Sequence, residues 1–233
     1  KSINLADKII RISNNTKNDL INIYNINPEK ISVIYLGHEH MCVHDKLLDY
    51  SKEKINVPYV LFVGSRAKYK NFNFFLHSFS KSKRLMKDFN IILFGGEEIL
   101  DKEKQKFKNL NFKKNQIIHR KGNDVVLKYL YKNAQAHIFP SLYEGFGLSL
   151  VESMYSGCPI ICSNTKTFIE IAGDSAEFFD PKDEENLLNS IEKVVYDSEY
   201  SKKLIEKSMY RVKKFSWKNC SIETIKIYES LIK

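Results

Sequence analysis

Two glutamates flank a glycine-containing segment that leads into a helical pattern. Glu144 and Glu152 are the flanking residues. Between them stand Gly145, Phe146, Gly147 and Leu148. A strand-like run ends just before this segment, so its loop leads to the first N–H groups and the positive dipole end of a helix, which attract anions. Carboxylates beside an anion site suit hydrogen bonds from sugar hydroxyls, and the segment therefore predicts a ligand that carries both phosphate and sugar.

Each glutamate also has a simpler interpretation. Glu144 would then be a charge that stabilises the helix start, and Glu152 would lie on a solvated face. However, Leu150, Val151 and Met154 surround Glu152 in a helix whose composition indicates burial. Because a buried carboxylate without a partner is costly, a binding role is favoured for Glu152.

Two cations follow another strand-like run. Gly64 ends the run at residues 59–63 and permits a sharp turn. Arg66 and Lys70 come next, on the loop before a helical pattern. Arg can bind phosphate oxygens with two parallel hydrogen bonds, and Lys adds a mobile charge, so the pair suits a diphosphate. The alternative is a pair of solvated basic residues.

Strand-like and helix-like stretches alternate along the chain, which predicts an α/β fold with a mostly parallel sheet flanked by helices. The predicted strands cover residues 8–12, 31–36, 59–63, 90–94, 116–119, 136–139, 159–162 and 176–179. The predicted helices cover residues 15–24, 71–83, 98–110, 124–133, 148–156, 170–173, 184–196 and 201–214, with a last one from 217. In such sheets ligands bind beyond the carboxyl ends of the strands, where both segments described above lie.

The chain carries a net charge of +9. A lysine-rich solvated surface accounts for it, and a basic face toward an anionic membrane is the alternative. No motif supports nucleic-acid binding, and no apolar run approaches the length of a membrane-spanning helix. With no secretory signal and no Cys-x-x-Cys pair, the four cysteines are interpreted as reduced thiols of a cytoplasmic protein, peripheral to the inner membrane face if the basic surface binds lipid.

The segment from Pro140 to Leu148, followed by Glu152 and Gly157, resembles the signature of group 1 (family 4) glycosyltransferases. The loop from Val63 to Asn71 is similar to the phosphate loop of that family, and five further blocks also match. These blocks cover residues 6–13, 31–37, 168–174, 179–181 and 215–217. The resemblance implies the two-domain GT-B architecture. Residues 1–45 would be the end of a first, acceptor-binding domain and a linker, residues 46–215 the donor-binding domain, and residues 216–233 a helix that returns to the first domain.

The resemblance also implies roles for individual residues. Arg66 and Lys70 would contact the donor diphosphate beside Gly64, and residues 145–148 would present backbone N–H groups to the phosphates or position the donor sugar. Glu144 would bind the transferred sugar as the catalytic-site carboxylate, and Glu152 would bind the ribose. Base contacts would come from the segment His119, Arg120 and Lys121. No metal is expected, because cations and a helix end take its place. Ile169 stands where the family commonly has proline, which weakens the match between Glu170 and the glutamate of the corresponding family segment.

The implied function is retaining transfer of a sugar from a nucleoside diphosphate sugar, with UDP or GDP, to a saccharide or lipid-linked acceptor in surface polysaccharide or glycolipid synthesis. Since Lys1 is not a natural first residue, we expect a missing N-terminal domain and weak or no activity of this chain alone. Two alternatives remain: a sugar-nucleotide binding module without turnover, and an epimerase-like GT-B enzyme.

The run from His38 to His44 contains zinc-ligand residue types, but its spacing is not a common zinc pattern, and a linker is the favoured interpretation. Cys158 and Cys162 flank a predicted strand and are expected in the core.

Overall fold

The structure, a computed structural model, describes residues 2–41 and 55–232 of the 233-residue chain. Its strands are β1 (Ile9–Arg11), β2 (Ile31–Val33), β3 (Tyr59–Val63), β4 (Asn90–Phe94), β5 (Ile117–Arg120), β6 (Ala136–Phe139), β7 (Ile160–Ser163) and β8 (Glu177–Phe179). Its helices are α1 (Ser2–Leu5), α2 (Asn14–Tyr24), α3 (Phe72–Ser80), α4 (Lys83–Asp88), α5 (Asp101–Asn109), α6 (Asp124–Asn133), α7 (Leu148–Tyr155), α8 (Lys166–Ala172), α9 (Glu184–Tyr196), α10 (Ser198–Arg211) and α11 (Trp217–Glu229).

Six strands form one parallel sheet in the order β5-β4-β3-β6-β7-β8, and β1 and β2 form a separate parallel pair. The predicted α/β fold with a mostly parallel sheet is confirmed. β3 and β6 are adjacent at the centre of the larger sheet. The loops that follow these two strands, which carry Lys70 and Glu144, therefore leave the same edge of the sheet.

The main core lies between the sheet and the helices that cover it. Phe72, Phe75 and Phe79 recur at helical spacing on α3 and are almost fully buried. They pack with Phe62 of β3 and with the aromatic side chains of α5 and the loop after it. This packing fixes α3 against β3, and so fixes the loop between them. Cys158 and Cys162 are fully buried, as predicted.

Two predicted helix boundaries on this side of the sheet are wrong. α3 ends at Ser80 rather than at residue 83, because Ser82 begins the separate helix α4 by accepting a hydrogen bond from the Leu85 N–H at 3.1 Å. α5 begins at Asp101 rather than at residue 98. The Glu103 carboxylate accepts a hydrogen bond from the Leu100 N–H at 2.9 Å and defines that start.

Three other predicted bounds also differ. The turn predicted at residues 170–173 is the end of the longer helix α8, which Thr165 caps. α10 begins at Ser198, because Asp197 caps it three residues earlier than predicted. β2 stops at Val33, shorter than the predicted run.

The N-terminal segment, residues 2–41, packs through α2 against α8 and the loop after β6. Ser13 caps α2, as predicted. The Glu170 carboxylate of α8 accepts hydrogen bonds from the Asn14 N–H at 2.7 Å and the Asn15 N–H at 3.1 Å. A carboxylate at a helix N-terminus is favourably placed relative to the helix dipole, so this contact holds the segment in position.

Candidate functional site

Lys70 and Glu144 form an ion pair at the edge of the sheet where β3 and β6 end. Lys70 Nζ lies 2.6 Å from Glu144 Oε1, and the two side chains are only 14% and 16% exposed. Lys70 ends a short helical turn after β3, and the Leu142 N–H of the other loop donates to the Tyr69 carbonyl at 2.8 Å. The backbone contact joins the two loops and brings together a cation and a carboxylate that the sequence places 74 residues apart.

The Lys70 ammonium lies close to an aromatic ring, a glycine and a buried histidine. Its ammonium lies 4.9 Å from the ring centroid of Phe139, a favourable cation–π distance. A Cβ on Gly64 would lie 3.8 Å from Lys70 Nζ, and the φ of Gly64 is +109°, a value that favours glycine. His137 of β6 is fully buried, and this burial together with the Lys70 charge lowers its pKa to about 3. A neutral imidazole therefore lies beneath the cation and adds no competing charge.

The start of α7 lies directly after Glu144 in the chain and has no side-chain cap. Gly147 occupies the N-cap position with φ of +91° and makes no side-chain hydrogen bond there. Within the described residues, side chains cap α2, α4, α6 and α8 to α11. No side chain of the described residues therefore occupies the N–H groups of Leu148 and Ser149 beside the Lys70–Glu144 pair, whereas the Leu150 N–H donates to the Gly147 carbonyl at 2.9 Å.

The loop from Glu144 to Gly147 is held from both sides. The Ser13 hydroxyl donates to the Gly145 carbonyl at 2.7 Å, and the Thr167 hydroxyl donates to the Glu144 carbonyl at 2.9 Å. Phe146 is buried against Tyr35 and Phe215 rather than facing the loop's open side. Its side chain anchors the loop, and only its backbone remains for a ligand.

Arg66 pairs with a different carboxylate from Lys70. Arg66 Nε lies 2.7 Å from Glu103 Oε1 of α5, and the terminal Nη2 donates to Glu103 Oε2 at 3.1 Å. Nη2 also donates to the Glu97 and Glu98 carbonyls at 2.8 and 3.0 Å. Partial burial opposes ionisation of Glu103, but the hydrogen bonds from Arg66 and the Leu100 N–H prevail and lower its pKa. Arg66 is therefore held by α5 through Nε and Nη2, while its Nη1 has no hydrogen-bond partner among the described residues.

Glu152 is buried and has a partner at each oxygen. His40 Nε2 lies 3.0 Å from Oε1, and the Tyr131 hydroxyl donates to Oε2 at 3.2 Å. Burial, and then the charge of Glu152, raises the pKa of Tyr131 well above its usual value, so this hydroxyl stays protonated. The Trp217 indole N–H donates to the other His40 nitrogen at 3.4 Å. Glu152 thus connects α7 with the segment at residue 40 and with α11.

The segment predicted to contact a base lies at the end of β5. His119 Nε2 is 2.9 Å from the Gly95 carbonyl, and Nδ1 is 3.4 Å from Glu98 Oε2. Lys121 Nζ lies 2.8 Å from the other Glu98 oxygen, on the surface. Arg120 donates to the His119 carbonyl over a long distance, 3.4 Å. These side chains organise the loops after β4 and β5.

Among the described residues of the zinc-like run, 38–41, the side chains of His38, Glu39 and His40 contact different partners. His38 Nδ1 lies 2.6 Å from the Phe215 carbonyl, and Glu39 Oε1 accepts from the Ser216 hydroxyl at 2.6 Å. Cys42 and His44 lie outside the described residues. Across residues 2–41 and 55–232, no group of three or more His, Cys, Asp or Glu side chains could hold a metal ion.

Sequence reasoning identified the two cations and the two glutamates but missed the partners that hold them. Tyr131 and Glu103 belong to no functional motif, and His40 stood out only as part of the zinc-like run, not as a partner of Glu152. The acidic residue at the third position of α5 was the one available signal, because it is typical of a helix start.

The family model described as "Glycosyl transferases group 1" matches residues 46–210. The O-antigen chain mannosyltransferase RfbU of Salmonella typhimurium is 31% identical over 195 residues, which cover 83% of this chain and 52% of that protein. The O-antigen chain mannosyltransferase B of Escherichia coli is 36% identical over 108 residues, 46% of this chain and 28% of that protein. The chain thus spans about half or less of the length of these relatives.

Solved structures show the same fold. A glycosyltransferase from Rickettsia africae has a TM-score of 0.82 at 22% identity, covering 97% of this chain and 64% of that one. Anabaena Alr3699/HepE in complex with UDP-glucose has a TM-score of 0.84 at 17% identity, covering 99% and 66%. These neighbours are GT-B glycosyltransferases, and the family match over residues 46–210 shows that the chain belongs to the group 1 glycosyltransferases.

Proposed function

We propose that the polypeptide to which this chain belongs transfers a mannosyl or related hexosyl group from a nucleoside diphosphate sugar to a saccharide or lipid-linked acceptor. The chain supplies the donor site. The observation that carries the proposal is the Lys70–Glu144 pair beside the uncapped start of α7. The two similar O-antigen mannosyltransferases support mannose as the sugar, and synthesis of a surface polysaccharide as the setting.

In the proposed complex the diphosphate replaces Glu144 as the partner of Lys70 and accepts hydrogen bonds from the first N–H groups of α7. Glu144, released from Lys70, accepts hydrogen bonds from hydroxyls of the transferred sugar. A cation and a helix end placed where negative charge grows on the leaving diphosphate stabilise the transition state without a metal. Arg66 joins the diphosphate if it leaves Glu103.

Glu152 is the proposed partner of the ribose. Its two oxygens are satisfied by His40 and Tyr131, so a ribose hydroxyl takes a remaining lone pair or displaces His40. Segment 119–121 is the proposed wall beside the base, through its backbone. UDP and GDP are the two nucleotides to compare.

The acceptor wall of a GT-B cleft comes from another domain, and closing that cleft excludes water and aligns the reactants. The proposal therefore assigns donor binding to this chain and turnover, with retention of configuration, to a longer two-domain polypeptide.

The test measures sugar transfer from GDP-mannose and UDP-glucose by this chain and by its natural full-length polypeptide, each with and without excess chelator. Transfer by the full-length polypeptide alone, unaffected by chelator, is the expected result. Full activity of this chain alone would place the reaction centre elsewhere. Donor binding without transfer by the full-length polypeptide would favour a binding module.

A further inference from the structure

A groove of about 630 Å³ lies between α5 and the beginning of β5. β5 is an edge strand of the six-stranded sheet, so this groove opens at the side of the domain. It is lined by the loops before α5 and before β5 as well as by α5 itself. None of the residues assigned to the donor site lines it.

The floor of the groove is apolar and held rigidly. Phe107, Phe112 and Ile117 are each 8% exposed and belong to the main core, and the half-buried Ile99 packs against them. These side chains cannot withdraw from the groove without opening the core. The groove therefore presents a preformed apolar surface to an occupant.

The rim of the groove is strongly basic. Lys104, Lys108, Lys113 and Lys114 line it. Residues 102–114 contain six lysines and one glutamate, a net charge of +5 out of +9 for the whole chain. The single glutamate is Glu103, which Arg66 neutralises. Lys104 pairs with the exposed Asp101, whereas Lys108 and the two lysines after Phe112 have no carboxylate partner within the described part of the chain.

We propose that this lysine-rimmed groove is a docking site for an anionic phospholipid bilayer. A phospholipid has an anionic phosphate next to apolar acyl chains. The lysine ammonium groups of the rim would face the phosphates, and the apolar floor would face the acyl chains. Each lysine near an anionic membrane surface adds to the electrostatic attraction between protein and membrane, and several lysines together give stable membrane binding. Base stacking by single-stranded nucleic acid needs an exposed ring face, and Phe107 and Phe112 are each only 8% exposed, whereas contact with acyl chains needs no ring and is open to the half-buried Ile99. Docking of the groove on a membrane does not depend on sugar transfer.

The test is sedimentation of the 233-residue chain with vesicles of phosphatidylglycerol and phosphatidylcholine, and with vesicles of phosphatidylcholine alone. We expect binding to the anionic vesicles only. The double variant Lys113→Glu/Lys114→Glu should weaken it about tenfold or more, because two attractive charges become repulsive. The control is Lys202→Glu/Lys203→Glu, an exposed adjacent pair on α10 that changes the net charge equally.

A third variant separates the apolar floor from the charge. Ile99→Ser leaves every lysine in place, so it should bind the anionic vesicles several-fold less tightly while its retention on a heparin column is unchanged. Absence of binding by the unmodified chain, equal losses in the two lysine variants, or wild-type vesicle binding by Ile99→Ser would overturn the proposal. Circular dichroism melting of each variant ensures that only folded proteins are compared.

Discussion

The ion pair between Arg66 and Glu103 offers a test of whether Arg66 reaches the donor. In the structure two guanidinium nitrogens bind the Glu103 carboxylate, at 2.7 and 3.1 Å. If a bound diphosphate takes Arg66 away from this partner, its affinity includes the cost of separating the pair. Glu103→Gln removes the negative charge but retains an oxygen that can accept a hydrogen bond, so it lowers that cost.

The magnitude follows from the exposure of the two side chains. They are 8% and 19% exposed, so the pair is worth more than a typical surface ion pair and carries charge-assisted hydrogen bonds. Replacing the carboxylate by an amide should weaken it by about 1–2 kcal/mol. Arg66 keeps its bonds to the Glu97 and Glu98 carbonyls until it moves, so the gain in nucleotide affinity is at most about 5- to 30-fold.

Calorimetric titration of GDP and UDP into both proteins measures the effect. Asp101→Asn is the matched control, because it removes one negative charge from the same helix, where Asp101 pairs with the exposed Lys104. We expect Glu103→Gln to bind the preferred nucleotide more tightly than Asp101→Asn does. Equal affinities would show that nucleotide binding does not separate Arg66 from Glu103.

Three further predictions concern other parts of the chain. Glu144→Gln should weaken a nucleotide sugar more than the free nucleoside diphosphate, and Glu152→Gln should weaken both ligands; equal losses in all four titrations would refute the assigned division. Gly147→Ala should lower the free energy of unfolding by about 1–3 kcal/mol, because the φ of Gly147 is +91° and the new Cβ would lie 3.2 Å from the Phe168 ring. The variant should also bind nucleotide less tightly. An unchanged midpoint of urea unfolding would contradict the predicted backbone strain. Burial alone would raise the pKa of Glu39, but hydrogen bonds from the Ser216 hydroxyl and the Trp217 N–H lower it from 4.5 to about 2. The ionised Glu39 should therefore stabilise α11 fully above pH 4.5, and this stabilisation should be lost as the pH falls toward 2. The fluorescence of Trp217, the single tryptophan, should report this change, and the same acid transition in Glu39→Gln would show that another group causes it.

Much of the fold could be predicted from the sequence because its strands are short apolar runs between turn residues. β3, β4 and β6 begin and end where the pattern predicts. The helix boundaries were less predictable where a single cap divides one apolar pattern, as Ser82 divides α3 from α4. Capping depends on one side-chain hydrogen bond, which periodicity does not reveal.

For the candidate site, too, some features could be predicted from the sequence and others could not. Lys70 and Glu144 could be predicted to lie at the same edge of the sheet, since each follows a strand of a parallel sheet, although only the structure shows that the two strands are adjacent. The partners of Arg66 and Glu152 could not, because they are 37 and 112 residues away and depend on how α5 and the segment at residue 40 pack. The docking of Phe146 under Tyr35 and Phe215 also depends on that packing.

The proposed donor site is centred on Lys70 and needs no metal, and a calorimetric experiment can examine both properties together. GDP, UDP and their sugars are titrated in excess chelator into the chain, into Lys70→Ala and into the control Lys68→Ala, which removes an exposed lysine from the same turn. We predict that the chain and Lys68→Ala bind at least one nucleotide sugar equally, whereas Lys70→Ala loses about 1.5–3 kcal/mol, or roughly 10- to 150-fold. Undiminished binding by Lys70→Ala, or no binding of any nucleotide until a divalent metal is added, would contradict the account.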